Sequence, residues 1–149
     1  MTGNGGRTVE ERTDMANALY ANYAGLLLSG GVNWSTDTVK AQLVNLGLYT
    51  PDIEAHQFFS SVPVGARVGA AATLSAKALV NGSADASDLI YYSLSGLVVG
   101  ALVLYKDTGV EATSPLMGII DTATGLPFTP NGGDLNVVWD SGIYRIFRP

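Results

Sequence analysis

His56 is the sole histidine of the chain, and Ser60 and Ser61 follow it at four and five residues. An imidazole near a hydroxyl is the start of general-base and nucleophilic chemistry, so any Ser-His-Asp or histidine-metal scheme must run through His56. No Gly-x-Ser-x-Gly elbow is there to place a serine, and His56 stands beside Phe58 and Phe59, the setting of a structural histidine. No glycine-rich phosphate loop or dinucleotide fingerprint follows a strand. Asp85, Asp88, Asp107, Asp121, Asp134 and Asp140 are spread singly over polar turns, where a short carboxylate bonds nearby amides. Nothing selects two of them as a glycosidase pair. Asn81-Gly82-Ser83-Ala84-Asp85 sets oxygens at alternate positions as a calcium loop does, but the glycine at the sixth place and the glutamate at the twelfth are missing. With no cysteine in the chain, thiolate catalysis and zinc-thiolate sites are excluded. The residues therefore predict no enzyme, no cofactor and no metal.

Aromatic side chains are the remaining candidates. Trp34, Tyr91, Tyr92, Trp139 and Tyr144 could form a sugar platform or anchor an interface, because flat side chains contribute area with little rotamer loss. Strand alternation puts Tyr91 and Tyr92 on opposite faces, so one of them points outward. Trp139 shares its face with Leu135 and Val137 and reads as core.

The elements that must position these residues are mostly strands. The apolar run 97–104 is too short to span a bilayer and reads as a strand buried on both faces. Residues 116–120 form a second apolar run, 135–139 alternate, and Ser141-Gly142 turns the chain into 143–147. Short connections favour antiparallel pairing. In 38–44, Val39, Ala41 and Leu43 point inward while Thr38, Lys40 and Gln42 form a solvated face. Modest strands are expected around 71–74, 78–80 and 89–94, with Asn81-Gly82 as a hairpin turn. Asp52 caps a short helix that runs through Phe59 and that Pro63 stops. Thr8-Val9-Glu10-Glu11 has the form of a capping box. The apolar stripe after it, through Leu19, Tyr23 and Leu26 or Leu27, predicts one long helix ending at Ser29-Gly30-Gly31. The predicted fold class is mainly β, of the α+β kind. It is an antiparallel β-sandwich or partly closed barrel with that long N-terminal helix packed on it. Residues 1–7, with three glycines and nothing to bury, read as a flexible arm, and 8–149 as a single β-rich domain.

The charged fraction is 14% and the formal net charge −5. An average domain has about 25% charged residues, so this surface is poor in charge, as surfaces covered by a partner often are. No basic run exists for a phosphate backbone, which argues against nucleic acid. The absence of a leader-like or spanning apolar segment predicts no membrane association and a cytoplasmic origin.

Several blocks resemble a family of small tailed-bacteriophage virion proteins. The front half carries Ala18-Leu19-Tyr20, Leu26-Leu27-Leu28-Ser29-Gly30, Ser35-Thr36-Asp37-Thr38-Val39-Lys40 and Val62-Pro63-Val64-Gly65-Ala66-Arg67-Val68. The back half carries Ala101-Leu102-Val103-Leu104-Tyr105-Lys106-Asp107-Thr108-Gly109 and Asp121-Thr122-Ala123-Thr124-Gly125-Leu126-Pro127. Thr129-Pro130-Asn131-Gly132-Gly133-Asp134 and Val137-Val138-Trp139-Asp140 complete it. The resemblance covers about 16–147 and is weakest over 75–95. It implies a bacteriophage structural protein of the minor capsid or head-decoration type. Such a protein would bind the major capsid protein on the outside of the assembled head as a homo-oligomer, a trimer being one form. A tail component, or a head-fibre module binding glycan or host surface through exposed aromatics such as Trp34 beside Asn33, is the alternative. The expected contact residues are Thr2, Gly3, Asn4 and Arg7 of the arm, with Tyr91, Tyr92, Pro130 and Asn131.

Overall fold

The structure, a computed structural model, describes residues 17–149. In chain order the elements are strand β1 (Ala18–Leu19), helix α1 (Ala21–Ser29), and strands β2 (Val39–Val44), β3 (Arg67–Thr73), β4 (Ala78–Val80) and β5 (Ser83–Asp85). Strands β6 (Leu89–Tyr91), β7 (Ala101–Lys106), β8 (Leu116–Ile120) and β9 (Leu135–Val137) follow. Five strands form one sheet in the order β1-β8-β7-β2-β3, while β4 pairs with β5 and β6 with β9 as separate ribbons. Every pairing between named strands is antiparallel. The fold is thus mainly β, and the described residues form no closed barrel.

β2 and β7 are the centre, paired residue for residue from Val39 opposite Lys106 to Val44 opposite Ala101. Alternate side chains enter two cores. Val39, Ala41, Leu43, Leu102 and Leu104 meet Tyr23 of α1, Trp34, Trp139 and the inner faces of the two ribbons. Val44, Ala101, Val103 and Tyr105 meet Tyr20, Tyr49, Phe59 and Val62 on the other side. Apolar residues at nearly every position of β7 follow from this double burial. The strand begins later than the apolar run does, because Leu97 and Val98 are exposed and only Val99 bridges to Phe128.

Three other expectations are corrected. The long helix does not pass through 17–20. Asn17 accepts the Asp121 and Thr122 amides and donates to the Thr122 carbonyl. Ala18 and Leu19 pair with Ile119 and Gly118. The edge of β8 thus claims the backbone that a helix would use, and α1 starts only at Ala21 and ends at Gly30 in the left-handed region. The capping box and the arm residues Thr2, Gly3, Asn4 and Arg7 lie outside the described residues. The expected helix after Asp52 is a single turn: its carboxylate accepts the Glu54 and Ala55 amides, but Leu116 and Phe59 bond across to the Gln57 and Ser114 carbonyls. Phe59 then stacks on Tyr105 at 3.9 Å. Residues 143–147 form no strand of their own, and only Phe147 bridges, to Ala84.

Gln42 faces inward rather than to solvent, for a reason set by the neighbouring strand. Ala41 pairs with Ala72 and Leu43 with Val68, so Gln42 alone opposes Gly69, Ala70 and Ala71. This bulge breaks the ladder, and the buried Gln42 amide fills the gap, its Nε2 lying 3.2 Å from the Val68 carbonyl and 3.0 Å from those of Gly69 and Leu43. Gly69 has φ +69°, and a Cβ there would come within 2.8 Å of Leu94 Cδ1, so the bulge needs glycine. The bulge also interrupts the sheet's outer edge, which a further strand would otherwise extend.

Candidate interaction surface

The β6–β9 ribbon and the residues flanking it carry two of the sequence candidates, Tyr91 and Tyr92. Leu89, Tyr91, Leu135 and Val137 alternate into the core, in the register Leu89 opposite Val137 and Tyr91 opposite Leu135. Alternation leaves Ile90, Tyr92, Asn136 and Val138 facing out. Ile90 is 44% exposed and Tyr92 and Val138 are each 73% exposed.

The ribbon is pinned from beneath and at both ends. The Tyr91 hydroxyl donates to the Ala41 carbonyl at 2.7 Å, and the Trp139 indole donates to the Ser87 carbonyl at 3.0 Å. Asp88 accepts the Trp139 amide at 3.0 Å, and Asp134 accepts the Ser93 amide at 2.9 Å. At the far end Leu94 donates to the Gly133 carbonyl and Gly132 to the Leu94 carbonyl, while Asn131 Oδ1 accepts the Gly133 amide. The loop of Pro130 and Asn131 is therefore the continuation of the ribbon that carries Tyr92. Three exposed apolar side chains thus stand on a hydrogen-bonded scaffold, with the Asp88 and Asp134 carboxylates bonded into it.

Of the expected contact residues, the structure places Tyr92 just past β6, and Pro130 and Asn131 in the loop that leads into β9. It places Tyr91 in the core, only 5% exposed, where burial pushes its hydroxyl well above the ordinary tyrosine range. Tyr92 is the outward member of the pair. Ile90 and Val138 were missed by sequence reasoning, although the same alternation that faces Tyr92 outward would have found them.

The other candidates are occupied elsewhere. Trp34 is buried, its indole shared between the Ala78 and Asp85 carbonyls at 3.0 and 3.2 Å, and Asn33 caps its own turn through the Ser35 and Thr36 amides. They offer no sugar platform. His56 stacks on Tyr49, and its Nδ1 takes the Asp52 amide at 3.2 Å and lies 3.1 Å from the Tyr49 hydroxyl. Tyr49 in turn meets the buried Tyr20 hydroxyl at 2.7 Å, so this network ties the 49–56 loop to the sheet. Asp107 pairs with Lys40 at 3.1 Å and Asp37 with Lys106 at 3.4 Å, while Glu111 takes a two-pronged contact from Arg67 at 2.8 and 2.9 Å. The Gly109 amide and Lys40 hold the Asp107 carboxyl below its usual range, and Arg67 does the same for Glu111. Asn81 and Gly82, at φ +51° and +84°, make the two-residue turn between β4 and β5. Among the described residues no three His, Cys, Asp or Glu side chains gather to hold a metal, and no helix is long and apolar enough to cross a membrane.

No protein-family model matches the chain, and no curated protein matches it either.

Proposed function

We propose that the chain is a structural protein of a tailed-bacteriophage virion, a minor capsid or head-decoration protein that binds the outside of the assembled head and stabilises contacts between major-capsid subunits. The observation that carries this reading is the outward face of the β6–β9 ribbon, where Ile90, Tyr92 and Val138 stand exposed on a backbone pinned at both ends. An apolar face held rigid in the free protein loses little conformational entropy on docking. The resemblance supplies the identity of the partner: its block 129–134 is the loop that ends this ribbon, and 137–140 includes Val138. A protein that binds only the assembled shell stabilises it by mass action, and symmetric copies multiply the effect. The homo-oligomer, the sandwich-like packing of ribbons on the main sheet and the virion location belong to the same proposal.

Cosedimentation of the purified protein with mature heads lacking it, beside unexpanded procapsids and isolated tails, tests the reading. Saturable binding to heads is expected, and Tyr92→Ala should weaken it about 30-fold, the loss of a central aromatic anchor worth about 2 kcal/mol. Binding to tails alone, or to none of the three, overturns the proposal.

A further inference from the structure

A second site lies apart from the ribbon face. A cavity of about 250 Å3 opens between the β4–β5 turn and the last residues of the chain, with Arg145 and Arg148 in its wall. The tail that forms one side is tied down: Ser83 donates to the Ile143 carbonyl, Ala84 to that of Phe147, and Ile146 to that of Ala84. Asn81 closes the other side.

Both guanidinium groups have unspent donors. Arg145 sits in the left-handed region at φ +50°, a conformation a non-glycine residue keeps only where its surroundings impose it. Its Nη1 is 3.5 Å from Asp85 Oδ2, a long contact, and its Nε is buried with no hydrogen-bond partner. Arg148 donates to the Asn81 carbonyl at 2.6 Å and lies 5.7 Å over the Tyr144 ring, and it meets no carboxylate among the described residues. Arg67, whose Nε is likewise buried without a partner, differs at its outer nitrogens, which place both prongs on Glu111. A planar carboxylate is the group that fits a guanidinium fork.

The geometry points to a carboxylate-binding pocket at Arg145 and Arg148 that takes one acidic side chain of a partner polypeptide. Asp85 beside Arg145 offsets part of the positive charge and disfavours a dianion such as phosphate. Val80 and the 66% exposed Ile143 give the pocket apolar walls. These suit the apolar flanking residues of a peptide better than the hydroxyls of a sugar acid. A space of this size is ample for one acidic side chain.

The test uses the full chain and follows the arginine Nε–Hε signals by NMR. The probes are a capped peptide with one glutamate among alanines and leucines, its glutamine counterpart, galacturonate and inorganic phosphate. The glutamate peptide should shift the Arg145 and Arg148 signals saturably, with at least tenfold higher affinity than the glutamine peptide. Arg148→Gln should reduce that affinity at least tenfold with an unchanged unfolding temperature. The two-peptide comparison on the unaltered protein stands even if the variant folds poorly. Equal binding of both peptides, no shift with either, or tighter binding of galacturonate or phosphate overturns the assignment.

Discussion

Replacing Gln42 by leucine removes one buried amide and keeps the side chain near its original volume, so its cost reads directly on the bulge in β3. The Val68 carbonyl is left without its donor in a buried setting, which costs about 2 kcal/mol, within the usual 1–3 kcal/mol for an orphaned polar group. The Gly69 carbonyl lies nearer the surface, where water can replace the lost bond, and adds about 1 kcal/mol. Leucine recovers about 1 kcal/mol through added apolar burial. The net is a loss of about 2 kcal/mol, which for a chain of this size lowers the unfolding temperature by about 4–8 °C. Calorimetry with urea titration measures it, and amide hydrogen exchange at Ala70 and Ala71 should quicken with it. A Gln42→Leu protein that unfolds at or above the parent temperature, with exchange at the bulge unchanged, would refute the idea that the amide holds the bulge together.

Tyr91 and Tyr92 should part company on substitution. Tyr91→Phe removes the hydroxyl that bonds the Ala41 carbonyl and should cost about 1–3 kcal/mol, visible as a drop of several degrees in unfolding temperature. Tyr92→Ala should leave that temperature within about 1–2 °C, since the exposed ring contributes little to the fold. The reverse order would mean that the ribbon faces the other way. Alkaline stability follows from the buried tyrosines. Burial raises the hydroxyls of Tyr23 and Tyr105 to about 12, and those of Tyr20 and Tyr91 further. Unfolded tyrosines ionise near 10, so above that pH the unfolded chain binds fewer protons than the folded one. Stability should be intact below pH 10 and fall as the pH rises from about 10 to 12, measured as a decreasing urea midpoint; a midpoint unchanged across that window would contradict the burial of these rings.

Alternation and turn chemistry in the sequence determined much of the β structure. Val39, Ala41 and Leu43 had to share a face, the apolar run 97–104 had to hold a doubly buried strand, though it starts only at Ala101, Asn81-Gly82 had to turn, and only one of Tyr91 and Tyr92 could reach solvent. These follow from a side-chain period of two and from backbone conformations that few residues accept. Tertiary structure decided everything that depended on a competing partner. An apolar stripe fit for a helix gave way at Ala18 and Leu19, because the edge of β8 offered their backbone hydrogen bonds. Gln42 reads as a surface residue until a bulge 26 positions away supplies carbonyls for it. The outward ribbon face exists because β6 and β9, 44 residues apart at their nearest pair, come together over one core. The two arginines near the C-terminus face a cavity because a hairpin more than 55 residues earlier closes its other side. Local pattern fixes which side of a strand a residue takes, whereas which strand lies beside it is a property of the packed chain.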